Sequence, residues 1–298
     1  MNRVRKQIGY KEAVSQHLTG NRIGIGVLDS GIFLHTDLRD RCVAFADFVD
    51  GKRRPYDDLG HGTHICGIIA GSGIASGGYY QGLAPACNLY VGKILDKNGN
   101  GMIESIIHGM EWLLSFPAKA NLRVINISVS SFSFQNKMRE RMLFELFREA
   151  YEKNILVVVA AGNQGPKGSS ISRLGDTVHT ICVGCHEGEY FADDKSACKC
   201  YSGQGPGNAV YLKPDIVAPG TRIVSCKNVD RQYAVKSGTS MATPIVTGAL
   251  ALAWQKYIGD SSYEMKRRLL RSARDLGENY PKQGFGMVDL GKLLTDMH

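Results

Sequence analysis

The chain has 298 residues, 43% of them hydrophobic, and a formal net charge of +8. That length can bury a sizeable core without disulfide staples, and no apolar run approaches the roughly 20 residues that cross a bilayer. The positive charge is dispersed over clusters at 3–6, 52–54 and 266–274 with no base-reading motif beside them, so neither a membrane nor a nucleic acid is an expected partner.

Taken in order, residues 1–20 read as a polar N-terminal extension with one short helix around 10–17, ahead of a single domain over 21–298. The charged start has no apolar stretch after it, so the reading is cytoplasmic, with reduced thiols. A buried parallel strand at 23–29 ends on Asp29 and turns at Ser30-Gly31. His61 sits between glycines at the start of a small-residue helix. Strands at 88–95, 122–128 and 155–160 alternate with helices at 102–115 and 137–153, which predicts βαβ units and a doubly wound, mostly parallel sheet with helices on both faces. Shorter strands follow at 178–183, 216–217, 222–225 and 233–236, then helices at 241–257, 263–273 and 288–297.

Four residues carry candidate chemistry. Gly238 permits a sharp turn that exposes Ser240 at the N-terminus of an apolar helix, where the dipole favours developing negative charge. A serine needs a base and an orienting acid, and His61 and Asp29 supply those types, with Asp29 at a strand's carboxyl end where open α/β sheets place their sites. Asn163, between Gly162 and Gln164 at the end of another strand, is a candidate oxyanion donor. Singly, each has a plainer reading: a helix cap, a structural histidine, a turn. His61 and His64, three apart, lack a further ligand at zinc spacing.

Together, in the order Asp, His, Asn, Ser at one sheet edge, these blocks resemble those of the subtilisin-like serine proteases, the subtilases. The resemblance runs from Ile23 to Leu290. It includes Lys213-Pro214-Asp215-Ile216-Val217-Ala218-Pro219-Gly220 and the closing Gly284-Phe285-Gly286-Met287-Val288-Asp289. It implies a subtilisin-like fold and a serine endopeptidase that works through an acyl-enzyme: Ser240 attacks, His61 moves the proton, Asp29 orients His61, and Asn163 with the Ser240 N–H holds the oxyanion. It also implies a peptide or polypeptide substrate bound as an extended strand between Gly99-Asn100-Gly101 and Ser128-Val129-Ser130, with Ala160, Ala161 and Gly162 lining the primary pocket. Ser130-Ser131 stand where the family commonly has two glycines.

The similarity is to intracellular members that lack an export signal and a long pro-domain. Residues 1–20 are then expected either to lie over the cleft or to be trimmed on activation. No cofactor is expected; the loop at 71–80 lacks the pattern that holds calcium in many relatives, so calcium dependence is not carried over and calcium is left open without a matched site. Cys182-x-x-Cys185 and Cys198-x-Cys200 depart from zinc spacing, with Cys182 and Cys185 on opposite faces of a strand, and buried or surface thiols are expected. The uses left open are broad intracellular proteolysis and dedicated maturation of one peptide or pro-protein. The alternative is a catalytically silent, protease-like binding or sensing protein.

Overall fold

The run Gly24–Asp29 forms strand β1 with all six residues buried, as expected of a strand covered on both faces. In the structure, a computed structural model that describes residues 1–129, 136–166, 168–191, 193–205 and 211–295, it lies near the middle of a seven-stranded sheet. The other strands are β2 (Cys42–Asp47), β3 (Asn88–Lys93), β4 (Leu122–Ile127), β5 (Leu156–Ala160), β6 (Thr180–Cys185) and β7 (Ile216–Ala218). Their order is β2-β3-β1-β4-β5-β6-β7 and every pairing is parallel. From β1 the chain leads to the β2 side, and from β4 to the β5 side. A crevice therefore opens between the carboxyl ends of these neighbours, the switch point where such sheets place their sites.

Alternating side chains divide the core into two layers. On one face Ile25, Val27, Val124 and Val158 pack under α3 (His61–Ala70) and α6 (Thr239–Lys256), with Ile65, Ile69, Ile245 and Trp254. On the other, Leu28, Ile125, Ile127 and Val157 pack against α4 (Ile103–Leu114) and α5 (Lys137–Glu152), through Ile106, Met110, Leu113 and Phe147. Full burial of a side chain of this size is worth about 1.5–3 kcal/mol. An antiparallel hairpin of β8 (Ile223–Cys226) and β9 (Tyr233–Lys236) packs beside α3 and leads into Ser240.

Around this body lie α1 (Asn2–Gln7), α2 (Lys11–Ser15), α7 (Ser262–Ser272), α8 (Tyr280–Gln283) and α9 (Leu290–Leu293). Neither α1 nor β2 stood out in the sequence; β2 is half-exposed, with none of its six residues fully buried. Of the closing helix expected over 288–297, the described residues form Leu290–Leu293, its start set by the Asp289 side chain, which accepts from Lys292 N–H; residues 296–297 lie outside the described residues. The N-terminal segment is not placed over the cleft. Val4, Ile8 and Ala13 are at most 1% exposed within the α3–α6 layer, and Gln7 donates to Glu187 O, away from the sheet's central crevice. Among the described residues no helix is long and apolar enough to cross a membrane.

Candidate active site

Asp29 ends β1 fully buried, and its Oδ1 accepts from the Ser30 N–H at 2.7 Å and from His61 Nδ1 at 2.7 Å. A carboxylate only accepts, so Nδ1 carries the hydrogen and the neutral ring keeps its lone pair on Nε2. His61 opens α3, and the loop before it is buckled down by Asp57. The Asp57 carboxylate accepts from Ser30 Oγ, Gly60 N–H, Thr63 N–H and Thr63 Oγ, while Ser30 Oγ accepts from Gly62 N–H. Burial disfavours the charged imidazole, but the Asp29 charge and hydrogen bond outweigh it, so His61 is raised above its ordinary value although Lys236 pulls the other way.

Ser240 lies in the first turn of α6, which is capped by Gly238 at φ 145°, a conformation that favours glycine. Between them, Thr239 donates its N–H (3.1 Å) and its hydroxyl (3.0 Å) to Asn163 Oδ1. A backbone N–H can only donate, so these bonds fix which end of the amide is oxygen and leave Asn163 Nδ2 for an acceptor in the cleft. Asn163 itself is exposed, just beyond Gly162 at φ 94°.

Leu59, His61, Leu95, Gly99, Ser128, Val129, Asn163 and Ser240 line one open cavity of about 200 Å³. Asp29 lies directly behind His61. Asp29 and His61 share the hydrogen bond within the Asp29, His61 and Ser240 set, and in free enzymes of this kind a serine's contact to its base is often open until substrate binds. Of the segments expected to grip substrate, Gly99, Ser128 and Val129 reach this wall, and Asn100 and Gly101 continue the first loop beyond it. Ser130 is outside the described residues. Ala160, Ala161 and Gly162 are buried behind the wall, and Gly162 O accepts from Gly203 N–H at 2.7 Å.

Leu59 and Leu95 were missed in the sequence, as were two buried polar supports. Lys93 is fully buried and donates to Ser30 O, Leu95 O and Asp58 Oδ1, tying the turn after Asp29 to the cleft wall. Ser128 Oγ accepts from Asn126 Nδ2, whose Oδ1 accepts from Thr247 in α6. Such fully satisfied networks hold a site in one geometry. The one sequence signal was a lysine ending an otherwise apolar strand.

Two buried clusters among the described residues have a metal-like composition: His35, Asp37 and Cys226, and Cys185, Glu187 and Cys198. In the first, His35 Nε2 donates to Gln232 O and Nδ1 accepts from Asp37 N–H, while Asp37 accepts from Ala75 N–H and Tyr233 OH. Its lone pairs are thus taken by protein donors, and the loop at 71–80 is closed onto Asp37. In the second, the expectation of reduced thiols is corrected, because Cys185 and Cys198 form a disulfide. Folding sets the end of β6 against the turn Cys198–Cys200, a proximity that sequence spacing does not show. Cys182 and Cys185 do face opposite layers of the core.

Residues 20–288 match the model of the Subtilase family. The chain is 37% identical to Serine protease AprX of Bacillus subtilis over 285 residues, covering 89% of this chain and 64% of that protein. It is 31% identical to the Thermostable alkaline protease of Halalkalibacterium halodurans, covering 96% of this chain and 71% of that protein. With Subtilisin BL of Lederbergia lenta the identity is 35% over 277 residues, covering 93% and 92%. The chain belongs to the subtilase family of serine endopeptidases.

Proposed function

We propose that this chain hydrolyses peptide bonds through an acyl-enzyme formed on Ser240. The observation that carries the reading is the Asp29–His61 hydrogen bond on the wall of a cavity that also presents Ser240 and Asn163. His61 Nε2 takes the Ser240 proton as Oγ attacks the scissile carbonyl and returns it to the leaving amine; Asp29 keeps the ring in the tautomer this needs and stabilises the imidazolium. The negative oxygen is met by Asn163 Nδ2 and the Ser240 N–H at the positive end of α6. The substrate is an extended polypeptide running between Gly99 and Ser128-Val129, with Leu59, Leu95 and Val129 giving the cavity its apolar surface.

Cleavage of a diverse peptide library by wild type beside Ser240→Ala, read by mass spectrometry, tests this. Cuts made only by wild type are expected, and cuts made equally by both would remove Ser240 from the mechanism. Many unrelated cut sites would identify broad proteolysis, and a few sites sharing one sequence would identify a processing enzyme.

A further inference from the structure

None of the eight cysteines takes part in the proposed cleavage. Cys87 and Cys182 are buried single thiols that burial pushes up to about 12, which makes them inert. The Cys185–Cys198 disulfide is different because of what it touches. Gly220 lies against both sulfurs: a methyl group on it would come within 2.6 Å of Cys185 Sγ and 3.2 Å of Cys198 Sγ. Gly220 O accepts the Gly238 N–H at 3.0 Å, and Gly238 caps α6 two residues before Ser240. Glu187, fully buried, accepts from the Gly220 and Thr221 N–H groups at 2.8 and 2.7 Å through Oε1, and that same oxygen is 3.6 Å from each of the two sulfurs.

We propose that Cys185 and Cys198 are a thiol–disulfide site whose oxidised form holds Gly220 and Gly238, and through them Ser240, in working position, and whose reduction by a dithiol slows cleavage. This rests on the reading of Ser240 as nucleophile. In the step itself, a thiolate of the dithiol attacks one cysteine sulfur, breaking the S–S bond and forming a mixed disulfide. Its second thiolate then expels that cysteine, so two electrons and two protons pass to the pair and the reductant leaves as its own disulfide. The separated sulfurs require a non-bonded distance of about 3.5–4 Å where the bond spans about 2 Å, and Gly220 and Glu187 occupy the adjoining space. Both new thiols have an acceptor waiting in Glu187, where they compete with the backbone donors of Gly220 and Thr221. The reductant's route is a cavity of about 320 Å³ lined by Cys185, His186, Lys199 and the partly exposed Cys200.

The test uses the full chain, either oxidised with glutathione disulfide or reduced with dithiothreitol, and thiols are counted by alkylation and mass. Six free thiols are expected in the oxidised protein and all eight after reduction. Reduction is expected to lower kcat/KM at least fivefold, reversibly, and to speed amide hydrogen exchange at 237–241 while circular dichroism shows the fold retained. The Cys185→Ala/Cys198→Ala protein, which has no sulfurs to separate, should not respond to the reductant. Eight free thiols that resist oxidation, general unfolding on reduction, or equal kcat/KM and exchange in both states would overturn the proposal. A wild type that cleaves nothing in either state would count against the Ser240 reading, and exchange at 237–241 would still decide this one.

Discussion

Thr239 holds the Asn163 carbonyl oxygen with both its backbone N–H and its hydroxyl, so the residue before Ser240 aims the amide proposed to meet the oxyanion. Thr239→Ala keeps the backbone bond and loses the other, worth about 1 kcal/mol. A fall in kcat of about fivefold with KM nearly unchanged is expected from steady-state kinetics. Asn163→Ala should cost about 100- to 1,000-fold, the magnitude known for removing such a donor in a subtilisin and not one derived from this geometry. Equal effects of the two substitutions would contradict the aiming role.

The raised His61 predicts an acid limb that lies above the ordinary imidazole range. In the proposed mechanism His61 must be neutral to act as base, so kcat/KM should fall as pH drops through this ionisation. Lys236 opposes the imidazolium, and Lys236→Gln should move the limb to still higher pH, more so at low salt. A limb that stays put in a pH–rate profile of this variant would show that Lys236 does not act on His61.

His64 predicts how the fold fails in acid. Its Nε2 bonds Ile223 O and Ala234 O, and burial pushes it down to about 3. The folded value is the depressed one, so the stability it contributes is present above the unfolded value of about 6.5 and is lost as pH falls toward 3. One proton taken up on unfolding changes stability by about 1.4 kcal/mol per pH unit. Thermal unfolding followed across this window should show a shallower acid slope for His64→Gln than for wild type.

Lys93 should matter for both stability and turnover. Lys93→Ala leaves the carbonyls of Ser30 and Leu95 without their donor beside a cavity, while the exposed Asp58 carboxylate turns to water, at a cost of about 1–3 kcal/mol for each carbonyl. Denaturant titration measures that cost. A loss of kcat/KM is expected even at temperatures where the variant stays folded, because Ser30 and Leu95 flank the site.

The sequence made most of this legible wherever a local pattern was strong. Buried runs such as Gly24–Asp29 and Leu156–Ala160 and the periodic helices α4 and α5 appear within a few residues of their predicted bounds. Asp29, His61, Asn163 and Ser240 meet at one edge because parallel strands bring their carboxyl ends together. The less legible features depend on contacts between distant segments. These include the half-exposed β2, the docking of α1 onto Glu187, the Thr239–Asn163 pair and the Cys185–Cys198 bond, none of which leaves a periodic trace.

The strand order has a consequence for the chain while it is being made. β1, which carries Asp29, is paired by β3 and β4, so it has no partner until synthesis has passed residue 93 and is flanked on both sides only after residue 127. Ser240 arrives later still, on a helix that fills the core against β4, β5, β6 and β7. Domains of this size, dominated by long-range pairings, complete their packing late. A nascent or truncated chain that stops before α6 therefore has Asp29 and His61 but not Ser240. The three side chains of the proposed triad thus come together only once α6 has been made.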